Sequence, residues 1–305
     1  MEAPNYRVAV VGLDRSKMDD VIIRYLPTLL DAMPIERVVF VHIAKELELP
    51  EELLDKYPDL IAPVDESIAA DIEAKVKPIF ESGNVSYDIV VQEGSALERF
   101  LKIARIKSAD LIVMGRKREL EGTGLLAGHI VRKSPASMLF VTENHQPVIK
   151  RMLVPVDFSS HSALALRLAE SIRQKTKASI DLVNVYYVPI GYHKTGKSFE
   201  EFAEIMKGHA QNDLATFLKK NEFDPDLPCE FMLDKDDSIS DQLYHHAQEA
   251  HADLIIIGSR GRTKTAALLI GSIVEKLVFE DVDVPVLVVK NKGENMNFFE
   301  ALMRI

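Results

Sequence analysis

Three glycines and a serine are spaced in a way that suits phosphate binding. Gly258 ends a short apolar run, Gly261 follows it, and Gly271 directly precedes Ser272. Glycine adopts backbone angles that other residues avoid and lets the chain approach a ligand closely. A helix beginning at Ser272 would aim unpaired N–H groups and the positive end of its dipole at an anion. The same segment contains three cations, namely Arg260, Arg262 and Lys264. The alternative is an exposed loop whose cations are merely solvated.

A second phosphate-binding pattern is less convincing. Residues 191–198, GYHKTGKS, satisfy G-x4-G-K-S and lie between a predicted strand and a predicted helix. However, Pro189 and Ile190 separate the pattern from its strand, and no later strand ends in the carboxylate that would hold Mg²⁺. We therefore predict a surface loop in which Ser198 caps the next helix. A contact of Lys194 or Lys197 with phosphate is the alternative.

Other reactive residues do not form a recognisable site. His246 and His251 are five residues apart, whereas two zinc ligands on one helix face need a spacing of four. With the adjacent His245, they are predicted to lie on a surface helix. Cys229 is the only cysteine, which excludes an intramolecular disulfide and a cysteine zinc cage. We nominate no catalytic residue and no metal ligand.

The chain repeats itself with a separation of 143 residues. Three pairs of landmarks share it: Asp14 with Asp157, Ser95 with Ser238, and Gly115 with Gly258. We predict two domains of one fold in residues 1–146 and 150–291, followed by a tail in residues 292–305. The tail has apolar residues at helical spacing, which suits docking on this fold or on a partner.

Each repeat alternates short apolar runs with amphipathic helical patterns. Near-continuous apolar strands indicate a parallel sheet that helices cover on both faces. The predicted fold class is therefore α/β: two tandem copies of an open, mainly parallel five-stranded sheet with helices on both faces. Such sheets bind ligands at the carboxyl ends of their strands, where the strand order reverses.

Composition narrows the choice of partners. The 37 Lys and Arg residues against 47 Asp and Glu give a net charge of −10, which disfavours nucleic acid and anionic membrane surfaces. No apolar run approaches the roughly 20 residues that cross a bilayer, and no signal peptide is visible. We expect a cytoplasmic protein.

The glycine pattern and its flanking segments carry a resemblance to a known family. The spacing G-x2-G-x9-G-S from Gly258 to Ser272 resembles the nucleotide-binding signature of universal stress proteins. PVDFS at residues 155–159, VNV at 183–185 and PVLVV at 285–289 extend the match. With its repeat, the chain resembles a tandem, two-domain universal stress protein.

The resemblance implies an ATP-binding protein of the stress response, with Mg²⁺ as an optional companion of the nucleotide. The implied binding residues are Pro155, Val156, Asp157, Val185, Ile257, Gly258, Arg260, Gly261, Gly271, Ser272 and Ile273. By analogy, Asp157 accepts hydrogen bonds from the ribose or adenine region, and Pro155, Val156 and Val185 line the adenine slot. Ile257 and Gly258 lie under the ribose, and the last four residues offer N–H groups and one hydroxyl to the phosphates. Asp157 has an alternative role as the cap of the next helix.

The first repeat departs from the pattern. Arg118 stands where the second repeat has Gly261. One alignment places Gly128 and then His129 opposite Gly271 and Ser272, whereas the other places Gly124 and then Leu125 there. Neither supplies both the middle glycine and the hydroxyl, so we expect a structural or dimerising domain without tight ATP binding.

The assembly can be predicted in part. Residues 137–141 and 285–289 are edge strands expected to pair within one chain, and two chains are expected to form a homodimer. The leading functional hypothesis is a nucleotide-binding regulator with an unidentified protein partner. The alternatives are a scaffold without nucleotide and a slow ATPase or phosphotransferase.

Overall fold

The structure, a computed structural model, describes residues 4–47, 64–81, 83, 85–116, 123–234, 238–261, 270–279 and 283–292. Its strands are β1 (Val8–Leu13), β2 (Arg37–Ala44), β3 (Ser86–Glu93), β4 (Leu111–Arg116), β5 (Ser137–Thr142), β6 (Arg151–Pro155), β7 (Ser179–Tyr186), β8 (Cys229–Leu233), β9 (Leu254–Gly258) and β10 (Val286–Val289). Its helices are α1 (Lys17–Ala32), α2 (Val64–Phe80), α3 (Ala96–Ile106), α4 (Thr123–Lys133), α5 (Ser160–Thr176), α6 (Phe199–Lys220), α7 (Ile239–Glu249) and α8 (Ser272–Phe279).

One ten-stranded sheet runs through both repeats in the order β3-β2-β1-β4-β5-β10-β9-β6-β7-β8. Within each repeat the five strands are parallel, and β1 or β6 lies between the second and fourth strands. The repeats meet where β5 and β10 pair antiparallel, with Leu139 opposite Leu287. The predicted fold class and the predicted pairing of these two edge strands are confirmed.

Alternate strand residues enter two apolar layers, as the period of a strand requires. Ala9 and Val11 of β1 join one buried cluster, whereas Val10 joins the other. Every residue of β4 and β10 is buried. The near-continuous apolar runs of the sequence thus reflect strands that are covered on both faces.

The repeat is visible in the backbone as well as in the sequence. Arg15 and Phe158, 143 residues apart, have φ of 63° and 66°, and Ser108 and His251 have φ of 55° and 52°. These residues follow the first strand or precede the fourth strand of their repeat, so both copies make the same left-handed turns.

Helices α4 and α8 pack against each other across the domain boundary. A Cβ on Gly128 would lie 2.0 Å from the ring of Phe279, so the two helices approach closely only because this residue has no side chain. The Arg132 guanidinium lies 4.9 Å from the centre of the same ring and forms an ion pair with Glu275.

Two buried basic side chains, Arg116 and Lys290, complete this boundary. Arg116 Nη1 donates to the Leu277 carbonyl in α8 at 3.1 Å, and Lys290 Nζ donates to the carbonyls of Val131 and Ser134 at the end of α4. Each helix thus ends on a basic side chain from the other repeat, whose N–H groups pair with carbonyls of the last turn that have no partner within the helix. In the described part of the chain, no helix combines the length and apolar character needed to cross a membrane.

Candidate functional site

The strand order places a cavity at the carboxyl edge of the second repeat. β6 and β9 are neighbours, and β7 and β10 continue the sheet in opposite directions from them. The helices that follow such neighbouring strands lie on opposite faces, which leaves a crevice between their starts. A cavity of about 250 Å³ occupies this position.

The structure brings together all eleven residues that the sequence nominated, and each of them lines this cavity. Among the described residues, five further ones line the cavity and were missed: Ser162, Val183, Ile239, Leu243 and Val274. Ile239 and Leu243 lie four residues apart on α7, and this helical spacing was the available signal. The sequence did not show which helix faces the crevice, since that depends on packing.

The turn after β6 is fixed by local hydrogen bonds. Asn184 Nδ2 donates to the Val156 carbonyl at 2.8 Å, which ties the turn to β7. Ser159 is the N-cap of α5, since its side chain accepts the Ser162 N–H. Asp157 Oδ1 accepts the Ser159 N–H at 3.1 Å. Asp157 therefore stabilises the turn but is not the helix cap, and it lines the cavity.

One of the three glycines is required by the backbone that packs against it, and a second lies against the Asp157 side chain. A Cβ on Gly258 would lie 2.6 Å from the carbonyl of His161, so β9 and α5 meet backbone to backbone. A Cβ on Gly261 would lie 2.8 Å from Asp157 Oδ2. At Gly271 the nearest atom would be 3.8 Å away, which is an ordinary contact. The loop thus passes directly over Asp157 at Gly261.

One backbone amide at the start of α8 has a different partner from the one that the sequence predicted. The helix begins at Ser272 as predicted. However, the Gly271 N–H donates to the Ser259 carbonyl at 2.9 Å, and the Ser259 N–H donates to the Val289 carbonyl. The Gly271 amide therefore ties the loop to the sheet and does not face a phosphate. The amides of Ser272 and Ile273 have no partner within the helix, as in any first turn.

Arg260 supplies positive charge to the cavity. The pKa of Lys290 is lowered to about 7, mainly because its side chain is buried and secondly because the positive charge of Arg260 repels a protonated amine. The expected contributions of Arg262 and Lys264 lie outside the described residues, as do Arg118 and residues 293–305 of the tail.

The first repeat has a cavity at the equivalent position. It measures about 310 Å³ and contains Asp14 and Gly115 in its lining. Gly128 lies inside α4 rather than at a helix start, so the alignment of Gly128 with Gly271 is wrong. Gly124 is the second residue of α4, so the alignment that places it opposite Gly271 agrees better with the helix starts. In the sheet, Gly115 lies opposite Val141, and Gly258 lies opposite Val289. The two glycines are 143 residues apart and the two valines 148, so the last strand of the second repeat comes five residues later in its repeat, as the second alignment assumes.

Residues 191–198 do not form a phosphate-binding loop in the structure. Residues 190–195 form a single exposed 3₁₀ turn, and Gly196 follows with φ of 75°. Ser198 and Glu201 form a reciprocal capping box at the start of α6, at 3.1 and 2.9 Å. Among the described residues that line the cavity, none belongs to this segment. The predicted capping role of Ser198 is confirmed.

The histidines considered as metal ligands, His245, His246 and His251, do not line the cavity. His246 Nε2 is 3.7 Å from a carboxylate oxygen of Glu230. Within the described ranges, no group of three or more His, Cys, Asp or Glu side chains is placed to hold a metal ion.

Comparisons with known proteins agree with the repeat. The model of the universal stress protein family matches residues 5–142 and 149–290. Universal stress protein MJ0531 of Methanocaldococcus jannaschii is 27% identical over 153 residues, covering 49% of this chain and 87% of the relative. The structure of a universal stress protein from Archaeoglobus fulgidus has a TM-score of 0.61 at 17% identity, covering 93% of this chain and 98% of that one. A functionally unknown protein of Pseudomonas aeruginosa, PA1789, has a TM-score of 0.69 at 13% identity over 98% of both chains. The two structural likenesses concern the fold alone.

Proposed function

The chain belongs to the universal stress protein family, and we propose that it is a regulatory protein that binds ATP in the cavity of its second repeat. The observation that carries this proposal is that eleven residues from four separate segments of the chain line one cavity at the switch point of the sheet. A cavity of about 250 Å³ lies just below the usual range of small-molecule pockets, which suits a ligand whose phosphates extend outwards.

The residues present fit such a ligand. Val156, Val185 and Ile257 offer an apolar slot for a base, and Asp157 offers a carboxylate to hydroxyl or amino groups. The start of α8 offers the amides of Ser272 and Ile273 to phosphate oxygens, with support from the helix dipole. The glycine at position 261 keeps the space beside Asp157 open.

We propose regulation rather than rapid turnover. Asp157 is the only carboxylate among the described lining residues, and one of its oxygens already accepts the Ser159 N–H. That lining contains no histidine or lysine that could activate a water molecule as a general base. Bound ATP would act through the hydrogen bonds that link Gly271 to Ser259 and Ser259 to β10, the strand that pairs with β5 of the first repeat. The homodimer and the cytoplasmic location expected from the sequence stay predictions.

The test is native mass spectrometry with Mg-ATP, counting nucleotides per chain. We expect one nucleotide in the wild-type protein and none in Gly261→Arg, because the new side chain would enter the space beside Asp157. Gly261 is exposed, so this variant should keep its fold. The matched control is Gly208→Arg on α6, where a Cβ would meet nothing within 4 Å, and it should bind one nucleotide. The absence of nucleotide on the wild-type chain, or one nucleotide retained by Gly261→Arg, would contradict the proposal.

A further inference from the structure

The cavity of the first repeat has its own chemistry. At about 310 Å³ it lies at the small end of the range for ligand pockets. Residues at equivalent positions, 143 apart, line both cavities, but His42 stands where the second repeat has Val185 and Asp19 stands where it has Ser162. Phe100 replaces Leu243 and adds an aromatic ring. The two cavities are therefore related in position but differ in the groups they present.

His42 presents a hydrogen-bond acceptor. Its side chain is buried, with the residue 8% exposed, and the ring lines the cavity. Nδ1 lies 3.0 Å from the Leu13 carbonyl oxygen. Because a carbonyl oxygen can only accept, this contact assigns the proton to Nδ1 in the neutral ring. Nε2 is then an acceptor on a nine-tenths buried ring, and no further hydrogen bond of His42 occurs among the described residues.

The cavity of the first repeat has one carboxylate more than the cavity of the second repeat among the described lining residues. Asp19 is 4% exposed, and its two oxygens accept the N–H groups of Asp14 and Arg15 at 2.9 Å. Asp14 accepts the Ser16 N–H through one oxygen. Asp14 has its counterpart in Asp157 of the other cavity, whereas Asp19 stands where that cavity has the neutral Ser162. The added negative charge of Asp19 disfavours a phosphate group in this cavity relative to the other.

The apolar part of the lining suits a flat ring. A Cβ on Gly12 would lie 3.0 Å from the ring of Phe100, so the absence of a side chain at the end of β1 lets that ring reach the cavity. Met114 and Val41 complete an apolar wall around it. Aromatic rings stack favourably on such a face, and a ligand with N–H groups would satisfy His42.

We propose that the first repeat contains a second binding site for a phosphate-free nucleoside or amino-substituted nucleobase, with His42 Nε2 accepting a hydrogen bond from an N–H group of the ligand. The proposal does not depend on ATP binding by the second repeat. The two sites would then discriminate by charge, one for a nucleotide and one for an uncharged relative.

The test uses adenosine as the probe and the full-length Gly261→Arg protein, titrated by calorimetry. We expect one adenosine per chain and an affinity for ATP at least about tenfold weaker than for adenosine, because of the additional Asp19 carboxylate. His42→Val, which copies the residue of the second repeat, should weaken adenosine binding about tenfold, whereas His42→Gln should largely restore it by supplying an acceptor oxygen.

A measurement without substitution at His42 locates the ligand. The ¹⁵N chemical shift of His42 Nε2 should change when adenosine binds, since this nitrogen would accept a new hydrogen bond. The proposal is overturned by an absence of adenosine binding, by binding that His42→Val leaves unchanged, or by ATP binding as tightly as adenosine in the Gly261→Arg protein. Counting ATP in the His42→Val protein, which retains Gly261, tests the second repeat separately, so either proposal can fail alone.

Discussion

At the scale of single residues, some equivalent positions of the two repeats carry the same residue and others carry different ones. Asp14 and Asp157 both follow the first strand of their repeat and line a cavity. Position 42 carries a histidine, whereas the equivalent position 185 carries a valine. Since each strand occupies the same place in its repeat, such exchanges alter the chemistry of a cavity without altering its position.

Lys290 gives a prediction about pH and stability. Burial lowers its pKa from 10.5 to about 7, so between these values the unfolded chain binds a proton that the folded protein does not. The free energy of unfolding should therefore rise with pH across this window, by up to about 1.4 kcal/mol per pH unit from this group. In Lys290→Met that contribution disappears. Urea unfolding of both proteins from pH 7 to 9.5 checks this, and parallel curves would show that Lys290 keeps an ordinary pKa.

At the scale of elements, the start of α6 shows how a motif is decided by its surroundings. Residues 191–198 satisfy a phosphate-binding pattern, yet they form an exposed turn followed by a capping box. Cradling a phosphate needs backbone N–H groups that converge on one point. In this segment the Ser198 N–H donates to Glu201 instead.

This arrangement predicts separate effects for two adjacent residues. Ser198→Ala should lower the free energy of unfolding by about 1 kcal/mol, because the first turn of α6 loses its cap. Lys197→Ala should change neither stability nor ATP affinity. Calorimetric titration with ATP and urea unfolding provide the readouts. A clear loss of ATP binding in Lys197→Ala would revive the interpretation as a phosphate-binding loop.

At the scale of the whole molecule, the two repeats form one unit because their edge strands pair within the chain. The β5–β10 pair makes the sheet continuous, and α4 and α8 cover the join on one face. Ser259, which accepts the Gly271 N–H beside the candidate ATP cavity, donates its own N–H to Val289 of β10, so the cavity borders the boundary between the repeats.

The close approach of α4 and α8 gives a third prediction. Gly128→Val should destabilise the protein by about 1–3 kcal/mol, because its Cβ would overlap the ring of Phe279 and force the helices apart. Gly208→Val is the matched control, since it lies in a helix and its Cβ would meet open space. The comparison cancels the change in helix propensity. Equal unfolding curves for the two variants would mean that the helices do not meet this closely.

The sequence by itself determined the repeat, the parallel sheets, the family and the loop residues of the candidate site. Those features follow from local patterns, since apolar runs, glycine spacing and helix caps are set by neighbouring residues. Only the tertiary structure decided that the Gly271 amide faces Ser259, that Gly128 belongs to the domain boundary, and that the His42 ring lines a second cavity. These outcomes depend on contacts between residues far apart in the chain, and such contacts arise only when helices pack on a completed sheet.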